Sequence, residues 1–393
     1  MNHSVLMMGC SDSRHVYNFI NIVLSDPLKF DNISIFNVAY INNEPKEFDD
    51  YYKKRNVRVL NPSKKPSTKV GPLNSALNFA ERTWALHQHL RSNKYDYLII
   101  HYCSWQAMRW VNLFSKSFQK VFLVFYGGDV LRNKLVDAKF YHKAYQKSFS
   151  IILPNEHSYN VFNNKTSGFY NNKTSLIQFP QKMVRTYLES EKKLQSRNLT
   201  LKKFGYPSDK IIVICGHTAT RAERYEEIIN QILNMPKAIR DKCYWVFMMT
   251  YAPEEYETYQ KEIETSILKN NIHGCVMKHY LDYELIQELH SISDIHITNI
   301  LTDALSCFFQ EQMLSGSVII YGKWLHYDDI ENENFFALPY NHIKDLSSIL
   351  IEVISDLDKY KKLSEKNRNG IINLASEDTI KTEWNKLFKD DLI

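Results

Sequence analysis

Residues 301 to 327, LTDALSCFFQEQMLSGSVIIYGKWLHY, are the stretch that decides the fold of this chain. Asp303 or Ser306 can cap a helix that runs through Glu311, and Gly316 can end it before the apolar run VII. A capped helix, a glycine turn and a short apolar strand are typical of a layered α/β protein. The carboxylates of Asp303 and Glu311 stand eight positions apart around the start of this helix.

The start of this predicted helix has the properties of an anion-binding site. Unpaired amides and the positive end of the helix dipole favour a diphosphate there. A carboxylate one or two turns further along can accept hydrogen bonds from ribose hydroxyls. We therefore take Glu311 as the candidate ribose ligand and Ser306 as a residue beside the expected phosphates.

The same segment resembles the Glu-x7-Glu signature of retaining GT-B glycosyltransferases, with Asp303 in place of the first Glu and Glu311 at the second. The resemblance implies an α/β fold of two Rossmann-like domains facing a central cleft. It also implies that Glu311 holds the nucleotide ribose and that Asp303 lies near the donor sugar and its phosphates. The shorter Asp departs from the family pattern and would shape the donor pocket differently. The alternative interpretation is a capped amphipathic helix with an incidental Glu311.

Short apolar runs alternate with helical patterns along the whole chain, which predicts βαβ units and mostly parallel sheets. The runs fall into two series. The first series predicts seven strands, at residues 4–8, 33–38, 57–60, 97–101, 121–125, 151–153 and 175–178. The second series predicts five strands, at residues 211–214, 245–249, 274–277, 294–297 and 318–320.

The two series predict two domains. We expect an N-terminal Rossmann-like acceptor domain over residues 1–185, a polar linker over 186–209 and a C-terminal Rossmann-like nucleotide-sugar domain over 210–375. Residues 376–393 have apolar side chains at helical spacing, among them Ile380 and Trp384. In GT-B enzymes such a terminal helix often crosses back to the first domain, so we expect the same here.

Ligands of open α/β sheets bind beyond the carboxyl ends of the strands, so the turns after strands are where functional residues are expected. In the first half, Asp12 follows the first strand, His101 ends the fourth, and Asp129 follows Gly127 and Gly128 after the fifth. In inverting transferases a carboxylate or His in this domain deprotonates the acceptor hydroxyl. Asp129, His101 and Asp12 are therefore candidate catalytic residues. The alternatives are that Asp129 only caps a helix and that His101 is an ordinary core residue whose hydrogen bonds are made within the protein.

In the second half, ICGHTATRAERYEEII runs from a strand through a turn into a helix. Gly216, His217 and Thr218 offer a flexible turn with donors, and Arg221 or Arg224 could neutralise a diphosphate. The turn resembles the phosphate-binding loop of glycosyltransferases that use nucleotide-diphosphate sugars. It is also similar to the Gly-Asn-Ser loop of the bacterial 4-acetamido-fucosyl transferase family, with His217 where that family has Asn. A solvated Arg pair on a surface helix is the alternative.

Tyr280 lies in a further turn of the second half, where GT-B enzymes commonly hold the donor base. GT-B transferases do not require a bound divalent metal, and the sequence has no compact Asp-x-Asp or His cluster. We therefore expect no metal and no cofactor besides the nucleotide-sugar substrate. No recognised nucleic-acid motif is present and the isoelectric point is near 8.6, so nucleic-acid binding is not expected.

The composition, 393 residues with 44% hydrophobic and 24% charged, is that of a globular protein large enough for two domains. No run approaches the ~20 apolar residues of a transmembrane helix and no signal-peptide pattern is present, so we expect a cytoplasmic protein. A basic cluster could hold an anionic membrane surface or a lipid-diphosphate acceptor, or could be an ordinary solvated surface. Its members are Lys53, Lys54, Arg55, Arg58, Lys64, Lys65 and Lys69.

Together these patterns predict a glycosyltransferase that moves a sugar from a nucleotide diphosphate to a glycan or lipid-linked acceptor in bacterial surface polysaccharide synthesis, such as O-antigen, capsule or lipopolysaccharide. The Asp303 and Glu311 pattern favours retention of the anomeric configuration, whereas the likeness to 4-acetamido-fucosyl transferases favours inversion. Two alternatives share the scaffold. One is a non-hydrolysing nucleotide-sugar epimerase, and the other is a non-catalytic glycan-binding or assembly protein.

Overall fold

The computed structural model describes residues 2–26, 28–39, 45–62, 72–191, 194–250, 257–279 and 281–389. The chain divides into two compact units, Met1–Lys182 with Glu377–Ile393, and Met183–Ser376. The division falls just before the segment that the sequence predicts as a linker. Part of that segment is helical and belongs to the second unit, where Tyr187 is a member of a buried apolar cluster.

The first unit is built on a seven-stranded parallel sheet. Its strands are β1 (His3–Gly9), β2 (Phe30–Asn37), β3 (Arg58–Leu60), β4 (Tyr97–His101), β5 (Lys120–Val124), β6 (Ser150–Leu153) and β7 (Thr174–Leu176). The order across the sheet is β3-β2-β1-β4-β5-β6-β7, and every neighbouring pair is parallel. In register, Val5 of β1 pairs with Ile33 of β2 and with Tyr97 of β4.

The helices of the first unit cover both faces of this sheet. They are α1 (Arg14–Ile22), α2 (Lys46–Lys54), α3 (Pro72–Ser92), α4 (Trp105–Phe114), α5 (Gly128–Leu131), α6 (Lys139–Lys147), α7 (Glu156–Thr166) and, from the end of the chain, α18 (Glu377–Lys389). The alternation of side chains along β1 explains the two cores. Val5 and Met7 belong to one buried cluster, and Leu6 and Met8 belong to the other.

The second unit repeats the design with a six-stranded parallel sheet. Its strands are β8 (Ile211–Cys215), β9 (Cys243–Met248), β10 (Gly274–Met277), β11 (Ile295–Thr298), β12 (Val318–Gly322) and β13 (Leu338–Tyr340), in the order β10-β9-β8-β11-β12-β13. Its helices are α8 (Met183–Glu191), α9 (Arg197–Phe204), α10 (Tyr225–Asn234), α11 (Lys237–Arg240), α12 (Glu257–Lys269), α13 (Tyr283–Ile292), α14 (Cys307–Leu314), α15 (Leu346–Ser355), α16 (Leu357–Ser364) and α17 (Lys366–Leu374).

The predicted α/β class with two mostly parallel sheets is confirmed, and each of the twelve predicted strands overlaps an observed one. The sequence pattern missed β13, which has Pro339 at its centre. Proline cannot donate to a strand ladder and is confined to edges, and β13 is indeed an edge strand. The predicted helix cap is also confirmed, because Ser306 precedes α14 and its hydroxyl accepts from the backbone N–H of Phe309 at 3.4 Å.

In each sheet the winding direction reverses once, between β1 and β4 and between β8 and β11. Ligands of open α/β sheets bind in the crevice at such a reversal, outside the carboxyl ends of the strands. The loops after these four strands are therefore the places to look for a site. Over the residues described, no helix is both long enough and apolar enough to cross a membrane.

Candidate functional site

The turn after β8 is held by a buried glutamate. One carboxylate oxygen of Glu223 accepts from the backbone N–H of Thr218 at 3.0 Å, from that of His217 at 3.3 Å and from the Thr218 hydroxyl at 2.9 Å. Gly216 makes the bend at a φ of +62°, a conformation that favours glycine. Glu223 is fully buried, and burial raises the pKa of its carboxyl group even though His217 and Thr218 oppose the shift. The turn is thus a rigid, preformed element.

The two loops at the winding reversal of the second sheet are joined to each other by Arg224. Its Nε donates to the backbone oxygen of Asn299, directly after β11, at 2.9 Å, and its guanidinium lies 4.6 Å from the centre of the Trp324 ring. Arg221 lies on the exposed side and pairs with Glu262 at 2.7 Å. Both arginines therefore have partners within the protein, and their predicted contact with a diphosphate stays a prediction.

Asp303 is fixed at the start of α14. Its Oδ2 accepts from the backbone N–H of Ser306 at 2.8 Å and from the Tyr327 hydroxyl at 2.6 Å. The pKa of Glu223, raised mainly by burial, is raised further by the charge of Asp303, so the two carboxylates lie close enough to interact. The structure thus brings Asp303 and Ser306 together beside the turn that contains Gly216, His217 and Thr218.

Glu311 lies on the second turn of α14 and is only 7% exposed. Its Oε2 is 3.8 Å from Nδ1 of His290 on α13, which is too long for a hydrogen bond. Burial lowers the pKa of His290 to about 3, so the imidazole is neutral and the contact is not an ion pair. The ring of Phe308 lies edge-on to His290 and stacks with His217, which connects α14 to the turn after β8.

A second group of predicted residues meets in the first unit. His101, at the end of β4, is 2% exposed, and its Nδ1 lies 2.5 Å from the Tyr126 hydroxyl. The ring of His15 lies 4.5 Å from that of Tyr126. Burial, with a smaller effect of His15, lowers the pKa of His101 to about 3. Gly9 makes room for this group, because a Cβ there would lie 3.2 Å from Cβ of His101 and 2.8 Å from Val16.

Asp129 joins the loops after β4 and β5. One of its oxygens accepts from the backbone N–H of Tyr126 at 2.7 Å and the other from that of Cys103 at 2.8 Å. Burial raises the pKa of this carboxyl group to about 6, although the backbone donors oppose the shift. The bend before it is Gly127, at a φ of +94°. Asp129 meets His101 indirectly, through Tyr126, and its catalytic role stays a prediction.

An open cavity of about 370 Å³ lies against Asp129, with Tyr102, Trp105 and Arg132 in its wall. Asp12 is exposed in the turn between β1 and α1. Tyr280 lies outside the residues that the structure describes. Among the described residues, no group of three or more His, Cys, Asp or Glu side chains could hold a metal ion.

Several residues that build the site were not singled out from the sequence, chiefly Glu223, His290 and Asn299. Asn299 directly follows β11, so the search for polar residues after strands could have found it. Glu223 stands in the charged run RAER, which is indistinguishable from a solvated surface. His290 lies within a helix whose pattern gives no sign that its imidazole faces Glu311.

The basic cluster predicted around residues 53–69 is divided in the structure. Lys53 pairs with Asp49 of the same helix at 2.5 Å, and Arg55 donates to the backbone oxygen of Leu24 at 2.7 Å. Lys64, Lys65 and Lys69 lie outside the described residues.

No protein-family model and no curated protein sequence matches this chain. Solved structures do match it over nearly its whole length. HepE from Anabaena, solved with UDP-glucose, is 13% identical, with 99% of this chain and 100% of that chain covered and a TM-score of 0.74. A glycosyltransferase from Rickettsia africae is 12% identical, with complete coverage of both chains and a TM-score of 0.71.

Sucrose-phosphate synthase from Thermosynechococcus elongatus is also similar, at 12% identity, 98% coverage of both chains and a TM-score of 0.75. At these identities the likeness concerns the fold. The chain therefore has the GT-B fold of these glycosyltransferases.

Proposed function

We propose that this protein is a glycosyltransferase that moves a sugar from a nucleotide diphosphate to an acceptor. The observation that carries the proposal is the position of Glu311. It is nearly buried, one turn inside a capped helix, and that helix follows β11, one of the two strands at the winding reversal of the second sheet. A carboxylate there can accept both hydroxyl hydrogens of a ribose while the helix start faces the phosphates.

The proposed donor site uses the residues of the second unit in separate roles. Glu311 binds the ribose, and the first turn of α14, behind Ser306, faces the diphosphate. Glu223 already occupies the amides of His217 and Thr218. The turn after β8 therefore acts as a rigid wall, and the helix start supplies the positive potential for the leaving diphosphate. Asp303, held by Tyr327, faces the donor sugar.

UDP-sugars are the first donors to examine, because HepE was solved with UDP and with UDP-glucose. For the acceptor we propose a glycan or a lipid-linked glycan of bacterial surface polysaccharide synthesis. His101, Asp129 and Asp12 are the candidate bases for its hydroxyl group. The likeness to 4-acetamido-fucosyl transferases rests on the single loop at Gly216.

The proposal is tested by thermal unfolding of the protein with UDP, GDP, CDP, TDP or ADP. A nucleotide that binds only the folded state raises the unfolding temperature. We expect a clear rise with one of them. Absence of a rise with all five would contradict the proposal and favour a non-catalytic scaffold protein.

Glu311→Gln then tests the ribose contact. A hydrogen bond to a charged group is worth roughly 1.5–3 kcal/mol, so the dissociation constant of the nucleotide should rise about 10-fold to 150-fold in a calorimetric titration. Glu284→Gln, at an exposed position of α13, is the matched control and should bind like the wild type. Equal affinities for all three proteins would refute the role of Glu311.

Product analysis separates the transferase from the epimerase. A transferase releases nucleoside diphosphate and joins the sugar to an added acceptor. Conversion of the donor sugar without any acceptor would instead establish an epimerase.

A further inference from the structure

The charge of this protein is unevenly distributed. Between Arg82 and Phe149 the chain has eleven Lys and Arg, three Asp and no Glu, a net charge of +8, whereas the whole chain has +5. The three Asp residues of this segment differ in how far they reduce its positive surface charge. Asp129 is buried, Asp96 accepts from the backbone N–H of Ser4 at 2.8 Å, and Asp137 is exposed beside His142.

The cations of this segment share a surface with large exposed apolar side chains. On α4, the outward positions Trp105, Arg109 and Leu113 alternate between the two kinds of residue, and the exposed Lys116 follows in the short 3-10 helix Ser115–Ser117. The three α4 residues follow one another at spacings of four, so they form one stripe along the helix, and Lys116 lies just beyond its end. Leu113, in the last turn of α4, is 60% exposed and contributes to an exposed apolar patch together with its neighbours on α3.

The neighbouring helices extend this stripe on both sides. On α3, Leu77 and Trp84 are 59% and 64% exposed and stand seven residues apart, on one face of the helix. The ring of His87 lies between that of Trp84, at 5.9 Å, and that of Phe114 on α4, at 6.2 Å, so the outer surfaces of α3 and α4 adjoin.

On the other side of α4 lies α6. The guanidinium of Arg109 lies 5.1 Å from the ring of Phe140, and Asn112 donates to the Phe140 backbone oxygen at 2.7 Å. The exposed Lys139 and Lys143 of α6 therefore adjoin the α4 stripe. We call the surface formed by the outward residues of α3, of α4 with the 3-10 helix that follows it, and of α6 the cationic apolar face. Its members are Leu77, Trp84, Trp105, Arg109, Leu113, Lys116, Lys139 and Lys143.

We propose that the cationic apolar face docks this protein onto an anionic lipid bilayer. Each Lys or Arg near an anionic bilayer contributes about 1 kcal/mol of binding, and tryptophan favours the headgroup level of a bilayer. The aliphatic side chains of Leu77 and Leu113 gain from entering the acyl boundary. They would gain nothing from a polyanion such as nucleic acid, which has no apolar layer. The inference does not depend on sugar transfer and concerns where the protein works.

This face differs from the basic cluster that the sequence suggested for the same partner. In α2, Lys53 and Lys54 share the helix with Glu47, Asp49 and Asp50, so the charge there is balanced locally. The cationic apolar face has one acid on α3, Glu81, and Asp137 at the edge of α6.

The test is flotation of the full chain with vesicles of pure phosphatidylcholine or of phosphatidylcholine with 30% phosphatidylglycerol. We expect binding to the anionic vesicles, weakened by added salt, and little binding to the neutral ones. Absence of binding to the anionic vesicles by a protein that still responds to a nucleotide would overturn the docking surface and leave the proposed function intact.

Two variants locate the contact. Lys116→Glu with Lys143→Glu should lower the partition coefficient roughly 25-fold or more, since each removed cation is worth about fivefold. Lys202→Glu with Lys362→Glu, at exposed positions of the second unit, is the charge-matched control and should lower it far less. Equal losses in the two double variants would refute the assignment to this face.

Leu113→Ala tests the apolar part. We expect a loss of about tenfold, since the substitution removes three carbons, each worth about 0.8 kcal/mol when buried, and only the 60% of the side chain that is exposed can gain from insertion. Leu268→Ala, at a leucine of α12 that is 71% exposed, is its control and should bind like the wild type. Unchanged binding of Leu113→Ala would mean that the face binds vesicles by charge alone, without insertion of apolar side chains, and would overturn the proposal. A lipid-free dimer that Leu113→Ala dissociates would overturn it too, by assigning the face to a second copy of the chain. The thermal unfolding transition and the circular dichroism spectrum of every variant serve as the check on folding.

Discussion

At the scale of single residues, two buried carboxylates have similar structural tasks in the two units. Glu223 accepts from the amides of the turn after β8, and Asp129 accepts from the amides of the loops after β4 and β5. Buried amides need such partners, because an unsatisfied backbone donor costs about as much as a lost hydrogen bond. Each acid therefore fixes the shape of a strand-end loop, where an α/β sheet binds its ligand.

Asp129 leads to a prediction about pH. Burial raises the pKa of its carboxyl group to about 6, above the value of 3.8 expected in the unfolded chain. The stability that this group contributes is therefore fully present below pH 3.8 and is lost as the pH rises through about 6. Asp129→Asn removes this dependence and also replaces an acceptor by an amide that cannot accept from both backbone donors.

We expect Asp129→Asn to lower the free energy of unfolding by roughly 1–3 kcal/mol, with a larger loss at pH 4.5 than at pH 7.5. Urea unfolding at several pH values measures the difference between variant and wild type. Asp137→Asn, at an exposed carboxylate of the same unit, should lose little at either pH. A loss for Asp129→Asn that is the same throughout this range would show that its carboxyl group titrates normally.

At the scale of elements, two glycines end different elements in different surroundings: Gly216 follows β8, and Gly205 caps the end of α9. Gly216 and Gly205 both have positive φ values, +62° and +71°. A Cβ at Gly216 would lie 2.5 Å from the hydroxyl oxygen of Tyr225, which is itself held by hydrogen bonds to the backbone oxygens of Thr218 and Met248. A Cβ at Gly205 would meet nothing within 4 Å. An alanine at Gly205 therefore meets only backbone strain, whereas an alanine at Gly216 meets backbone strain and a steric clash with Tyr225.

Gly205→Ala should cost about 1 kcal/mol of stability, the usual penalty for alanine at positive φ, whereas Gly216→Ala should cost more than about 2 kcal/mol. Thermal unfolding measures both. If the turn after β8 lines the donor site, Gly216→Ala should also weaken nucleotide binding while Gly205→Ala leaves it unchanged. Equal destabilisation of the two variants would mean that Tyr225 moves aside without cost.

At the scale of the whole molecule, the last helix of the chain completes the first unit. Ile380, Trp384 and Phe388 of α18 are buried in the same apolar cluster as the strands β1 and β4. The ring of Trp384 meets that of Phe19 edge-on at 4.7 Å. The first unit therefore requires residues from both ends of the chain.

Trp384→Ala should lower the free energy of unfolding of the first unit by about 3–5 kcal/mol, because it leaves a large cavity in a core. Trp84→Ala, at a tryptophan that is 64% exposed, should change it by no more than about 0.5 kcal/mol. Denaturant unfolding followed by circular dichroism compares them. A small effect of Trp384→Ala would mean that α18 is only loosely attached to the first unit.

The order of apolar runs determined the fold class and the strands, because the period of side-chain burial is a local property of the backbone. Capping residues are equally local, which explains why the start of α14 could be predicted at Ser306. The edge strand β13 was not predicted because it contains Pro339, and proline in a sequence argues against a strand. The position of Glu311 on the helix also followed from the sequence.

Only the tertiary structure decided which distant groups meet. Glu223 supports a turn because its charged segment folds back against the residues that follow β8. Asp129 links two loops because β4 and β5 are neighbours in the sheet. Leu77, Trp84, Leu113 and Lys143 form one face because three helices pack side by side. Such contacts join residues far apart in the chain, and no local pattern encodes their distance. The sequence alone therefore determined which segments form strands and helices. The tertiary packing decided which side chains meet in the loops at the ends of the strands.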